Sequence, residues 1–185
     1  MELRRSLPAA ATVVALLALL AAEGAVGLPS RSLVASAKAC PGSRSFEASP
    51  ASQRAALVCL INYARRQAGL PRVHQSWMLS RVARAKGRDI VICRDFNHTA
   101  CGKPTFSKFD VLGYRYRVVG ENLFAAERPV GTARDAFVAW LNSPPHRHVL
   151  FLPRFSDAGV ALFPLHEFQG SRRVRLWVLN LARRA

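Results

Sequence analysis

The chain has 185 residues, half of them hydrophobic, and its 27 basic residues against 11 acidic ones leave a formal net charge of +16. That length suits one ordinary domain able to bury its own core, and a charge of that sign selects anionic partners. Its four cysteines form no CxxC or comparable ligand pair, which argues against a cysteine-built metal site.

Taken in chain order, residues 1–27 read as a secretory signal. Arg4 and Arg5 precede an uncharged stretch that is almost wholly Ala, Val and Leu from Ala10 to Ala22, and Ala25-Val26-Gly27 offers small residues at the cleavage positions. The run is short for a membrane span, which needs about 20 residues, and Arg4-Arg5 lacks the remaining context of a twin-arginine signal. Arg4 and Arg5 balance Glu2 and Glu23, so the exported part keeps the whole charge. Export turns that charge away from nucleic acid and toward acidic wall polymers, anionic lipid headgroups and glycans, with peripheral membrane contact. Only Lys38, Lys86, Lys103 and Lys108 are lysines; such an arginine excess fits a GC-rich coding genome as well as selection for a ligand.

Residues 28–48 are rich in Ser, Ala and Gly and read as an extended arm, leaving 49–185 as the domain proper. Ser49-Pro50 opens a first helix, as N-cap and first helical residue. Leu57, Leu60, Ile61, Ala64 and Ala68 recur at helical spacing, and Gly69 and Pro71 close it. Ser76 starts a second helix with Leu79, Val82, Ala83 and Ile90 inward and Arg81, Arg84, Lys86 and Arg88 in water. Residues 94–113 are a loop or short helix. Residues 116–124 lead into Gly120-Glu121-Asn122-Leu123. Thr132 and Asp135 form a capping pair for a third helix, whose inner face is Ala133, Phe137, Trp140 and Leu141 and which Pro144-Pro145 ends. Strands at 158–163 and 174–181 close the chain. The second is apolar at most positions, which places it inside a sheet covered on both faces. Helices first and strands late indicate an α+β fold.

An even cysteine count in an exported chain implies two disulfides. Of the three possible pairings, short-loop closure favours Cys40–Cys59 and Cys93–Cys101. The first would tie the arm to the first helix, and the second would staple the loop around His98.

Three ionisable residues stand at turns or strand ends: His98, Glu121 and His146. Two imidazoles and a carboxylate suffice for Zn or another divalent metal with an open position. They also suffice for a base and its orienter, or for a purely structural triad. No other cofactor is required by any motif, and no catalytic residue is assigned: HExxH, GxSxG and an activated nucleophile are all missing from the sequence.

At these residues the sequence resembles the CAP superfamily of cysteine-rich secretory proteins, in its bacterial branch. Cys59-Leu60-Ile61-Asn62-Tyr63-Ala64-Arg65 followed by Ala68-Gly69-Leu70 is similar to the opening helix. Phe96-Asn97-His98 resembles the aromatic-x-His segment, and Gly120-Glu121-Asn122 the Gly-Glu-Asn motif. Ala139-Trp140-Leu141-Asn142-Ser143-Pro144-Pro145-His146-Arg147 resembles the Trp-x-x-Ser-Pro-x-His-Arg motif. Phe155-Ser156-Asp157-Ala158-Gly159-Val160 matches the strand that follows. The resemblance implies a three-layer α-β-α sandwich with a central, mainly antiparallel sheet and a cleft lined by two His and two acidic residues. His98, Glu121 and His146 fill three of those places, and the fourth falls on Ser143, a poor carboxylate substitute.

Of the other histidines, His148 lies about 200° round a helical turn from His146, and His74 and His166 read as solvated loop residues. Asn97-His98-Thr99 matches an N-glycosylation sequon that matters only in a eukaryotic pathway. Trp140 and Trp177 read as core. Three functions are compatible with this pattern. The leading one is a non-enzymatic, monomeric secreted module binding an anionic or lipidic ligand. The alternatives are a metal-assisted hydrolase and a structural envelope protein.

Overall fold

The computed structural model describes residues 29–185; the expected signal segment and Leu28 of the arm lie outside the described residues. A short 3-10 turn, Ser30–Leu33, is followed by α1 (Pro50–Gln67), β1 (His74–Gln75), α2 (Trp77–Cys93), a second 3-10 turn, Ala100–Gly102, and α3 (Ser107–Val111). Then come β2 (Tyr116–Glu127), α4 (Ala133–Leu141), α5 (Pro144–Phe151), β3 (Asp157–Phe168) and β4 (Ser171–Arg184).

The local signals explain these boundaries. Ser49 Oγ accepts from the Ser52 amide at 3.2 Å with Pro50 in the first turn of α1, and Gly69 beyond its end adopts φ +69°. Ser76 caps α2 through the Leu79 amide. Thr132 and Asp135 form a reciprocal capping box on α4. Pro144-Pro145 separates α4 from a further helix rather than from a loop. Proline suits a first turn, where its missing N–H costs nothing, so the pair that stops α4 also starts α5.

The sheet order is β1-β3-β4-β2, with β1 parallel to β3 and the other pairings antiparallel. β4 therefore lies inside the sheet. Its Trp177, Leu179 and Leu181 pack with Leu57, Leu60 and Ile61 of α1 and Phe137 and Trp140 of α4. Its Leu176 and Val178 pack with Ala83 and Ile90 of α2 on the opposite face. This is the expected three-layer sandwich. Both C-terminal strands run well beyond the expected spans. Gln169 and Gly170 each take positive φ and close a two-residue hairpin between Phe168 and Ser171; Pro164, His166 and Glu167 are simply the wet end of that ribbon. His166 thus lies on a strand, as His74 does on β1; both are exposed, but neither is in a loop.

Both disulfides form as expected, Cys40–Cys59 and Cys93–Cys101. The arm is more than an extension, because Leu33 and Ala35 are fully buried in the main core and Arg134 Nη1 donates to the Ala35 carbonyl at 2.8 Å. α2 rests directly on β3 at Gly159, where any Cβ would strike the backbone of Leu79.

Arg65, near the end of α1, is fully buried. Its guanidinium donates to the carbonyls of Pro71 (2.8 Å), Leu150 (2.9 Å), Leu152 (3.1 Å) and Phe155 (3.4 Å). Burial pulls its pKa down to about 10, so it remains a cation at neutral pH. It satisfies carbonyls at the end of α5 that the helix cannot satisfy itself. Arg65→Met should therefore destabilise the protein by about 3 kcal/mol, because several buried carbonyls lose their donor. Urea denaturation of variant and parent checks this, and a change below about 0.5 kcal/mol would contradict it.

Candidate functional site

The centre of the site stands on β2. Strand alternation sends Asn122 and Phe124 toward α1 and α5, and Glu121 and Leu123 toward α2. Gly120 lies beneath α5. A Cβ there would come within 2.8 Å of Val149 Cγ1 and 3.1 Å of Phe155 Cζ, so glycine is what allows α5 to close over the strand. Asn122 is fully buried and its Nδ2 donates to the His146 carbonyl at 3.0 Å. The Gly-Glu-Asn motif thus has a division of labour: Gly120 gives approach, Asn122 fixes α5, and Glu121 faces the other layer.

Glu121 is 7% exposed, and a carboxylate there is costly unless paired. His98 Nδ1 lies 2.8 Å from its Oε1; against an ionised carboxylate, Nδ1 carries the proton. Lys86 Nζ lies 3.9 Å from the same oxygen and donates to the His98 carbonyl. One lysine therefore neutralises the carboxylate and holds the backbone of its imidazole partner. Lys86 is 3% exposed, whereas Arg81, Arg84 and Arg88 are exposed. Its expected place in water is corrected: it lies seven residues after Leu79 and four after Val82, on the buried face of α2. That spacing was the available signal. Burial lowers its pKa, against the pull of Glu121 and Asp89.

The loop bearing His98 is held at both ends. The Cys93–Cys101 disulfide closes it. Asp89 of α2 receives Lys103 at 3.0 Å and Lys108 at 2.7 Å. Burial opposes ionisation of Asp89, but these two lysines prevail and hold its carboxyl below the ordinary range. Most of His98's surroundings are thus rigid, while nearly half of its own side chain faces solvent.

His146 comes from the first turn of α5. Its Nδ1 lies 2.7 Å from Ser143 Oγ, so the residue standing where the resemblance implies an acid is its hydrogen-bond partner. Burial first, and the charge of His98 second, hold the His146 imidazole below its usual value. The four implied positions are therefore brought together as two pairs, His98 with Glu121 and His146 with Ser143. Asn180 of β4, directly across from Glu121, is fully buried, and neither side-chain amide atom has a protein partner. The sequence shows a lone amide in an apolar strand there, but not that it stands opposite Glu121.

His98, Glu121 and His146 were the expected ligands for zinc or another divalent metal. As arranged, the bonds made here engage one nitrogen of each imidazole, Nδ1 of His98 with Glu121 and Nδ1 of His146 with Ser143, so the two Nε2 atoms are the donors that would hold a metal, with Glu121 and Ser143 as their orienting partners. Glu121 Oε1 lies 2.8 Å from His98 Nδ1 and 3.9 Å from Lys86 Nζ, so the carboxylate serves as the partner of those two groups rather than as a third ligand. Among the described residues no three His, Cys, Asp or Glu side chains gather as a metal-holding group.

A second concavity lies near the far side of α5. It is a groove of about 560 Å³ between α5 and the start of the arm, with Leu141, Phe151, Leu152 and Pro29 as apolar lining and Asn142 and His148 as polar lining. Arg147 joins the two walls, donating to Ser30 Oγ and to the Leu141 carbonyl, each at 3.3 Å.

Comparison with known proteins agrees with this architecture. The profile of the CAP, or cysteine-rich secretory protein, family matches residues 58–180. The uncharacterized protein YkwD of Bacillus subtilis strain 168 is 33% identical over 108 residues, which are 56% of this chain and 40% of that protein. The chain thus spans under half the length of this relative. An outer surface protein of Borrelia burgdorferi superposes with a TM-score of 0.65 at 17% identity, covering 75% of this chain and 97% of that one. An extracellular SCP-domain protein of Bacillus anthracis gives 0.56 at 20% identity, over 76% of this chain and 45% of its own. These last two likenesses concern the fold.

Two outcomes are expected of the site. Lys86→Met should destabilise the fold by about 2 kcal/mol, since it leaves a buried carboxylate short of a cation, and adding Glu121→Gln should restore part of that loss; a double-mutant cycle of denaturation free energies with no coupling would contradict the pairing. The depressed His146 value has a pH consequence. The unfolded imidazole protonates at about 6.5 while the folded one stays neutral. Its contribution to stability is therefore complete above that pH and is lost as pH falls toward the folded value. His146→Asn should flatten this part of the stability–pH curve, measured by thermal melts across the acid range.

Proposed function

The chain belongs to the cysteine-rich secretory protein (CAP) family, and from that premise we propose that it is a secreted, non-enzymatic binding protein for a lipidic, anionic ligand. The observation that carries this reading is the groove beside α5. Its volume of about 560 Å³ falls in the range of small-ligand sites, roughly 300–1,000 Å³, and its apolar lining with few polar groups has the composition of such sites. An acyl chain would lie along Phe151, Leu152 and Pro29, with its polar end toward Asn142 and His148. Export is supported by the leader pattern of residues 1–27 and by two disulfides, which persist in oxidising compartments. Two proteins of similar fold, one extracellular and one of the outer surface, point the same way.

The His–Glu cleft serves a different purpose in this reading. Glu121, His98 and Lys86 satisfy one another and fix the loop against β2.

A melting experiment with a soluble fatty acid and with lysophosphatidylglycerol tests the proposal. A ligand bound only by the native state, at a hundredfold excess over its Kd, raises stability by about 2.7 kcal/mol. Leu152→Asp, which puts a charge into the groove, should abolish the rise while leaving the unliganded melt close to that of the parent. If neither lipid moves the melt, the groove reading fails. If added zinc stabilises the parent but not His98→Ala, the metal-assisted alternative replaces it.

A further inference from the structure

The outer face of α2 carries a pattern that the core does not need. Trp77, Arg81, Arg84, Arg88 and Ile92 recur at helical spacing and line one stripe of the helix, opposite Leu79, Val82, Ala83 and Ile90. Trp77 is 71% exposed and Ile92 76%, and Val111 at the end of α3 is 76% exposed. Leu112, the residue after Val111, lines a shared hollow with Trp77, Arg81 and Arg88. Large apolar residues thus stand in water at both ends of the helix, with three arginines between them. Arg81 lies over the Trp77 ring at 4.9 Å, which holds the indole in an outward pose.

The arginines do not balance acids. Among the described residues Arg54, Arg81, Arg84 and Arg88 take part in no ion pair, and Asp89, the one acidic residue of α2, is engaged by Lys103 and Lys108. Arg54 of α1 converges with Arg84 and Arg88 on a recess of about 230 Å³ over Ala161, Leu162 and Phe163. There the outer edge of β3 has run past its last pairing with β1, at Ala158. Arg54 and Arg84 are close enough for their charges to act on one another: burial and then Arg84 lower the Arg54 pKa. Like charges gathered from two helices with no acid between them cost stability, and an anion removes that cost.

We propose that this face docks the protein on an anionic phospholipid bilayer. Phosphate groups sit in the recess of Arg54, Arg84 and Arg88, while Trp77, Val111 and Ile92 enter the interface. Guanidinium groups grip phosphate oxygens two at a time, and an amphipathic indole belongs at the headgroup boundary. Exposed apolar side chains decide between a bilayer and a soluble polyanion, because a polyphosphate or an acidic polysaccharide offers Trp77 and Ile92 no apolar medium. The inference shares the lipid class of the proposed function but uses a different surface, so the two stand or fall separately.

The protein carries three tryptophans, and Trp140 and Trp177 are buried; a change in emission therefore reports Trp77. On vesicles of phosphatidylcholine doped with phosphatidylglycerol, the protein should co-sediment and its emission should shift to the blue. Pure phosphatidylcholine should do neither. Each basic residue at a membrane surface contributes about fivefold to binding, so R84Q/R88Q should bind roughly twentyfold more weakly, and Trp77→Phe should lose the shift. R172Q/R183Q removes two exposed charges elsewhere and should bind nearly as the parent does. The proposal is overturned if that control loses as much as R84Q/R88Q, since binding then follows net charge alone. It is also overturned if the vesicles bind without a Trp77 shift, or if soluble polyphosphate abolishes binding to a parent whose shift never appears. R84Q/R88Q should keep the fatty-acid response of the groove; if both responses vanish together, the face is not a separate site.

Discussion

Glu121 stands on β2 with its carboxylate almost wholly out of water, and much of the surrounding arrangement follows from the need to keep it paired. An isolated buried charge is among the costliest features a fold can carry. Here the cost is offset from two directions. Lys86 reaches in from α2, and His98 comes from a loop held by a disulfide and by the Asp89 ion pairs. Once those partners are in place, the loop, α2 and β2 are joined as one unit on that side of the sheet. On the other side, Gly120 and Asn122 let α5 sit against the same strand. Three consecutive residues thus tie together all three layers.

A second buried charge does similar work for the opposite layer. Arg65 has carbonyls rather than a carboxylate around it, and so it links α1 to the end of α5 and to the approach of β3. α5 is consequently fixed at both ends, by Asn122 at its start and by Arg65 at its finish. That fixes the two things α5 carries, His146 toward the cleft and the wall of the groove. A rigid frame of this kind is what a binding site on its surface requires.

The surface is divided in a way the cleft alone would not suggest. The interior charges pair around Glu121 on the edge strand and Asp89 of α2, while Arg54, Arg84 and Arg88, with no ion pair among the described residues, converge from α1 and α2 where β3 leaves its outer edge uncovered. Lys86, Lys103 and Lys108 hold the architecture together, whereas Arg84 and Arg88 are exposed and, among the described residues, make no ion pair.

The elements with local signals were legible in the sequence. The caps at Ser49, Ser76 and Thr132, the apolar periods of α1, α2 and α4, both disulfides and the interior place of β4 all rest on interactions within a few residues or on a simple hydrophobic pattern. The family motifs marked His98, Glu121 and His146 for the same reason, since each motif is short and contiguous. Other features were not legible, because they depend on what lies across the fold. Lys86 looked like a solvated lysine until Glu121, from a distant strand, was seen to need it. Pro144-Pro145 stops one helix and starts the next only because α5 has β2 and Arg65 to pack against. The place of Asn180 opposite Glu121 and the length of the wet β3–β4 ribbon depend on strand pairing, which no local spacing reports. By itself the sequence determined the class of fold, the staples and the family, which follow from local periodicity and short spacings. Only the tertiary structure decided that the expected ligands are two hydrogen-bonded pairs completed by a buried lysine, because burial and charge pairing are properties of neighbours in space.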